Sequence, residues 1–131
     1  MAWISRSKLF ERLGAPLRNL RWSWGAVSKS GRKVYLAVWE DELCTMKGKK
    51  VVRLTNYRTS ADRHGYKERL EQIELIEKGA KVYGVLCTAK DSSESPRSLK
   101  DFNREELLVG GKLIKNAGDW WLEDRGRKAI T

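Results

Sequence analysis

Along residues 33–39, KVYLAVW, Val34, Leu36 and Val38 fall on one face of an extended chain, and Tyr35, Ala37 and Trp39 fall on the other. Both faces are apolar. This strand is therefore expected at the centre of a sheet, with one face on the core and the other on a second element or a ligand. Residues 21–27 read as its hairpin partner across Ser28-Lys29-Ser30-Gly31-Arg32, where the serines and Gly31 suit a turn. A turn over 46–50 leads into a third predicted strand, 51–56, VVRLTN. Residues 81–89, KVYGVLCTA, form a further strand that is apolar on both faces. Residues 107–114 and 120–124 predict a terminal hairpin across Asn116-Ala117-Gly118-Asp119. Within it Trp120 and Trp121 are adjacent, so they must face opposite sides, and one of them is expected to join the core.

Helical spacing is clearest over 66–78, YKERLEQIELIEK, where Tyr66, Leu70, Ile73 and Ile76 or Glu77 share a face. Gly79 suits the position just past the end. A shorter helix is predicted over 3–13 from Trp3, Phe10 and Leu13, with Gly14 as its cap and Pro16 preventing continuation. Tyr57 to Gly65 and Asp91 to Ser95 read as polar loops, and Ser98 to Glu106 as a segment with a short helical turn. The pattern as a whole predicts an α+β fold: a small bent antiparallel sheet or barrel of about six strands with two or three short helices.

Composition narrows the class. At 131 residues, 40% apolar and 34% charged, the chain fits one globular domain, 1–131. No apolar run approaches the ~18 residues needed to span a bilayer, and the first residues, MAWISRSKLFERLG, lack the continuous apolar stretch of a secretory signal. No membrane association and a cytoplasmic location are expected. Cys44 and Cys87 are distant and form no CxxC pair, which predicts two reduced thiols.

Several chemistries are disfavoured. His64 is the only histidine, so a Ser-His-Asp system, a Cys-His system and a zinc site would all depend on it, and no GxSxG motif surrounds any serine. No Walker loop is present. In Glu40-Asp41-Glu42, neighbouring strand residues point apart and do not converge on one cation. No metal, cofactor or catalytic residue is expected.

Charge points elsewhere. The net charge is +10, and residues 1–39 hold eight cations against one anion. Such a basic bias favours DNA or RNA. The same segment is rich in rings. Trp22 and Trp24 share one face of the first strand of the hairpin, and Tyr35 and Trp39 share a face of the second. In simple register they would form an aromatic wall, with Gly25 leaving room beside it. As core, these rings fill a small barrel. As a binding surface, they stack on a base, and Asp41 and Asn56 hydrogen-bond along its edge. Arg18, Arg21, Arg58 and Arg63 would then hold phosphates, with affinity that falls as salt rises.

The segments RWSWGAV, VYLAVWEDEL, GYKERLEQIELIEKGAKVYGVL, SPRSLKDFNREELLVGGKL and GDWWLE resemble small bacterial PUA-like domains found alone or fused to His-Asn-His endonucleases. The likeness covers residues 10–127. It implies a PUA-like barrel and a reader of modified bases that uses the aromatic hairpin at Trp22, Trp24, Tyr35 and Trp39 and the acidic stretch after it. No His-Asn-His motif is present, so a nuclease activity is not implied. The expected function is a non-enzymatic nucleic-acid-binding module, with recognition of a modified or flipped base as its narrower form. Two alternatives remain open. One is a protein-interaction or accessory module of a mobile element, dimeric through one of the adjacent tryptophans. The other is a small-substrate enzyme using the same pocket.

Overall fold

A computed structural model describes residues 4–20, 22–60, 63–93 and 98–130, the side chains of 59 and 60 apart. One mixed sheet runs through them. Its strands are β1 (Gly25–Val27), β2 (Lys33–Trp39), β3 (Leu43–Met46), β4 (Lys49–Arg53), β5 (Lys81–Ala89), β6 (Leu99–Phe102), β7 (Glu106–Asn116) and β8 (Asp119–Ala129). The order across the sheet is β1-β2-β5-β7-β8-β4-β3, with β6 paired to β5. Three helices accompany it: α1 (Arg6–Arg12), α2 (Tyr57–Ser60) and α3 (His64–Glu77).

The α+β class agrees with the sequence pattern, but two details differ. The sheet has eight strands where about six were predicted. It is also not wholly antiparallel, because β2 and β5 pair in parallel, from Lys33 opposite Lys81 to Trp39 opposite Cys87. The chain between them, residues 40–80, crosses over through β3, β4 and α3, which gives a parallel pair the length of connection it needs.

Parallel strands are normally covered on both faces, and these are. Tyr35 and Ala37 of β2 meet Tyr83, Val85 and Cys87 of β5 in one core, which Leu9 and Phe10 of α1 close. Val34, Leu36 and Val38 of β2 meet Val82 and Leu86 of β5 in a second core, which Ile73 and Ile76 of α3 close. Val52 and Leu54 also enter this second core. Because β2 and β4 touch although they stand four places apart in the strand order, the sheet is bent around it.

Local signals explain most element ends. The Ser5 hydroxyl accepts from the Lys8 amide at 3.3 Å and opens α1, three residues later than the spacing predicted, and Trp3 lies outside the described residues. Gly79 follows α3 with φ 110°, a backbone state that a residue with a side chain rarely adopts. Several boundaries moved. The first strand of the hairpin covers only 25–27, so Trp22 and Trp24 precede it. The third strand starts at Lys49 and ends at Arg53 rather than running over 51–56. Tyr57 to Gly65 is not a loop throughout, since α2 and the start of α3 lie within it. Segment 98–106 contains β6 in place of a helical turn. Glu40–Glu42 is a 3-10 turn rather than the end of a strand. The terminal hairpin is longer than expected at both arms, and its tryptophans divide as predicted. Trp120 packs on the second core, while Trp121 lies on the other face beside Arg53.

Candidate functional site

The inward face of α3 coincides with the one its apolar spacing suggests at Ile73 and Ile76 but is rotated towards polar residues in its first half. Its buried residues are Glu68, Arg69, Gln72, Ile73 and Ile76, whereas Tyr66 and Leu70 are only half-buried and Glu77 is exposed. Two adjacent turns therefore send three polar side chains into the protein.

Arg69 is the centre of this arrangement. Its Nη1 donates to the Leu54 carbonyl at 2.9 Å, and its Nη2 donates to the carbonyls of Trp24 at 2.8 Å and Ala37 at 2.7 Å. One guanidinium thus ties three separate segments together: the approach to β1, the end of β2 before Trp39, and the exit of β4 before Asn56. Burial pushes its pKa down to about 10, with Glu68 and Glu42 pulling the other way, so it remains charged at neutral pH. Glu68 secures the same region. Its carboxylate accepts from the Ser23 hydroxyl at 3.1 Å and lies 3.9 Å from Arg18 Nε. Burial raises its pKa, while Ser23, Arg18 and Arg69 oppose the rise.

On this frame sit the rings. Trp24 and Trp39 pack with ring centres 5.3 Å apart and planes at 47°. The Arg6 guanidinium covers the Trp24 ring at 4.5 Å and donates to the Ser23 carbonyl at 3.0 Å. Trp22 lies 5.5 Å from the His64 ring. Trp22, Trp24 and Trp39 all keep partial exposure. The amino end of α3 closes against them, since a side chain at Gly65 would stand 3.0 Å from the Trp22 carbonyl oxygen and 3.5 Å from Trp24 Cδ1. The N-cap of α3, Arg63, makes no side-chain cap hydrogen bond, and its first turn holds no acidic residue.

The wall of four rings does not form. Trp24 joins Trp39, Trp22 joins His64, and Tyr35 is 6% exposed in the first core, stacked on Tyr83 at 5.5 Å. The cause is register: Ala26, not a tryptophan, stands opposite Tyr35. Asp41 is exposed on the 3-10 turn that follows Trp39, and Asn56 is half-buried between the end of β4 and α2. Of the four arginines predicted to hold phosphates, Arg63 is exposed at the N-cap of α3. Arg58 is exposed on α2, its guanidinium 5.7 Å from the Tyr57 ring centre. Arg18 is exposed but faces Glu68 and Glu71, the latter at 3.6 Å. Arg21 lies outside the described residues.

Arg6, His64, Glu68 and Arg69 were not singled out by the sequence reading as binding or positioning residues. His64 falls in the segment 57–65 that reads as a polar loop. It is exposed, but it begins α3 and lies against Trp22.

The remaining reactive groups are quiet. The Cys87 thiol is fully buried, and burial pushes its pKa up to about 12 against the pull of Arg6 and Arg69, so it is held neutral. Cys44 is free and exposed. Among the described residues no three His, Cys, Asp or Glu side chains gather as a metal-binding group, and no helix is long and apolar enough to cross a membrane. No protein-family model, curated protein or solved structure matches the chain.

Proposed function

We propose that this protein is a non-enzymatic nucleic-acid-binding module whose contact surface is the end of the sheet around Trp22, Trp24 and Trp39. The observation that carries this reading is the company those rings keep. Three partly exposed indoles adjoin Arg6, His64 and an uncapped helix end that bears Arg63. Bases stack on such rings with little regard to sequence, and phosphates are drawn to the cations beside them. A net charge of +10 supports the same reading through long-range attraction.

The PUA-like class, a cytoplasmic location and the reading of a modified or flipped base are the finer parts of this proposal. The bent sheet supports the first. The partly exposed Trp24 and Trp39, side by side, support the last, because an extruded base is held against aromatic side chains.

Electrophoretic shift against single strands, plain duplexes and methylated duplexes, at two salt concentrations, tests the proposal. Retardation at low salt that weakens at high salt is expected. Failure to retard any of them at low salt would remove it.

A further inference from the structure

Every open sheet has two edges, and this protein treats them differently. At one edge β1 is only three residues long, and α3 lies over it, with Gln72 against Gly25 and Arg69 on the carbonyl of Trp24. The short strand β6 carries Lys100 and Asp101 within it. At the other edge, β3 reads Leu43-Cys44-Thr45-Met46, has no charged residue, and among the described residues pairs only with β4. Cys44 and Thr45 are exposed. Short strands, in-strand charges and covers are the usual protections of a sheet edge, and among the described residues only shortness applies to β3.

The open hydrogen-bonding positions of β3 follow from its partner. The Leu54 amide donates to the Trp120 carbonyl at 2.9 Å, so the even-numbered residues of β4 face β8 and the odd-numbered ones face β3. Lys49 and Val51 stand opposite Met46 and Cys44. Leu43 and Thr45 therefore direct their N–H and C=O groups away from the sheet. The two-residue turn Lys47-Gly48, with φ of 51° and 80°, fits this assignment, because such a turn is closed by a doubly bonded pair.

The flanks of β3 carry opposite charge. Glu40 and Asp41, both exposed, lie just before it, and the exposed Lys47, Lys49 and Lys50 lie just after it. An antiparallel two-fold pairing of β3 with β3 of a second copy sets each acidic flank against the partner's lysine flank. Centred on Cys44, it places Asp41 opposite Lys47 of the partner. Centred on Thr45, it places Leu43 opposite Lys47 of the partner, with the partner's Lys49 and Lys50 one strand further back, on β4. Both registers respect the two-fold, and both bring the acidic 3-10 turn at the start of one β3 towards the lysine-bearing turn at the end of the other. We propose that β3 is a self-complementary edge through which two copies of this chain associate, joining their sheets. An edge of four residues with charged flanks makes a weak, salt-sensitive dimer. The inference does not depend on nucleic-acid binding.

Sedimentation equilibrium without nucleic acid tests it, using the wild type and two charge-swapped chains, E40K/D41K and K47E/K49E. The wild type is expected to form dimers at about 100 µM in about 20 mM salt, weakening at least about threefold at about 500 mM. Each swapped chain alone carries one sign at both flanks and is expected to stay monomeric. Their equimolar mixture is expected to restore the dimer, since every flank again meets its opposite. A wild type that stays monomeric at low salt overturns the proposal. So do swapped chains that each dimerise like the wild type, or a mixture no better than its components. Circular dichroism checks folding. If either swapped chain fails to fold, T45P replaces it: it removes an edge N–H that β4 does not use, and it must abolish the wild-type dimer.

Discussion

The Nη2 of Arg69 donates to the carbonyl of Trp24 at 2.8 Å, from the middle of a helix to the segment that carries the exposed rings. The same group serves Ala37 and Leu54, so removing it leaves three backbone carbonyls without this partner, in a region where Arg69 is 7% exposed. Arg69→Met keeps much of the apolar stem and loses every donor. It is expected to cost about 3–5 kcal/mol, or about 10–20 °C in Tm, by thermal melting. Arg69→Lys retains the charge but not the fork and is expected to fall between the two. A loss under about 1 kcal/mol for the methionine variant would show that the three segments hold together without it.

Asp119 is the second buried anchor. Its carboxylate accepts from Arg53 at 2.6 Å, from the Thr55 hydroxyl at 2.7 Å and from the Tyr57 amide at 2.9 Å, tying the turn into β8 to the start of α2. Burial pushes its pKa up, but these donors outweigh burial and the net value lies below the ordinary one. A depressed folded pKa adds stability above the unfolded value, and that stability is lost as pH falls through the folded one. Asp119→Asn is therefore expected to cost about 2–3 kcal/mol at pH 7 in urea unfolding. The gap to the wild type should shrink as pH drops below the ordinary aspartate range near 4. A gap that stays constant with pH would mean the carboxylate charge contributes nothing.

How far these features could be read in advance depends on the range of the interaction. The double apolar faces of 33–39 marked that strand as central, and it is; 81–89, read with the same two apolar faces, is its neighbour. That pattern is also the mark of parallel neighbours, yet their pairing is settled by a crossover of some forty residues, which local hairpin signals do not encode. At the site, Trp24 and Trp39 were expected together and are, but Tyr35 went to the core because β1 begins only at Gly25 and brings Ala26 opposite it. Arg69 was hidden for another reason. A charged residue between Glu68 and Leu70 reads as the solvent side of a helix, since arginine is rarely buried. Only the carbonyls of three distant segments make its burial favourable.

Gly25 shows how closely α3 approaches the edge of the sheet. A Cβ there would stand 2.6 Å from Gln72 Oε1 and 3.0 Å from both the Tyr35 carbonyl oxygen and Leu36 Cδ2. Gln72 Oε1 is itself buried without a hydrogen-bond partner among the described residues. Gly25→Ala is expected to destabilise by about 1–3 kcal/mol through overpacking. Gln72→Ala opens the space, so the double variant should recover part of that loss, giving a coupling of at least about 0.5 kcal/mol by urea unfolding. Additive losses would place the clash on the backbone oxygen instead.

Trp22 and Trp24 separate the binding role of the rings from their structural one. Trp24 packs on the first core, on Trp39 and under Arg6, so Trp24→Ala is expected to lower both stability and nucleic-acid affinity. Trp22 belongs to neither core and lies against the exposed His64, ring planes tilted by 33°. Trp22→Ala is therefore expected to leave Tm within a few degrees. If a base stacks there, affinity falls by about 1–3 kcal/mol, roughly 5- to 150-fold. In the proposed binding mode Arg63 contacts phosphate and no base, so Arg63→Gln should weaken binding across sequences and reduce the slope of log affinity against log salt by about 0.7–0.9. Fluorescence anisotropy with one labelled oligonucleotide over a salt series reads all three variants. Unchanged affinity in Trp22→Ala, with the wild type binding normally, would move the contact surface away from this end of the sheet.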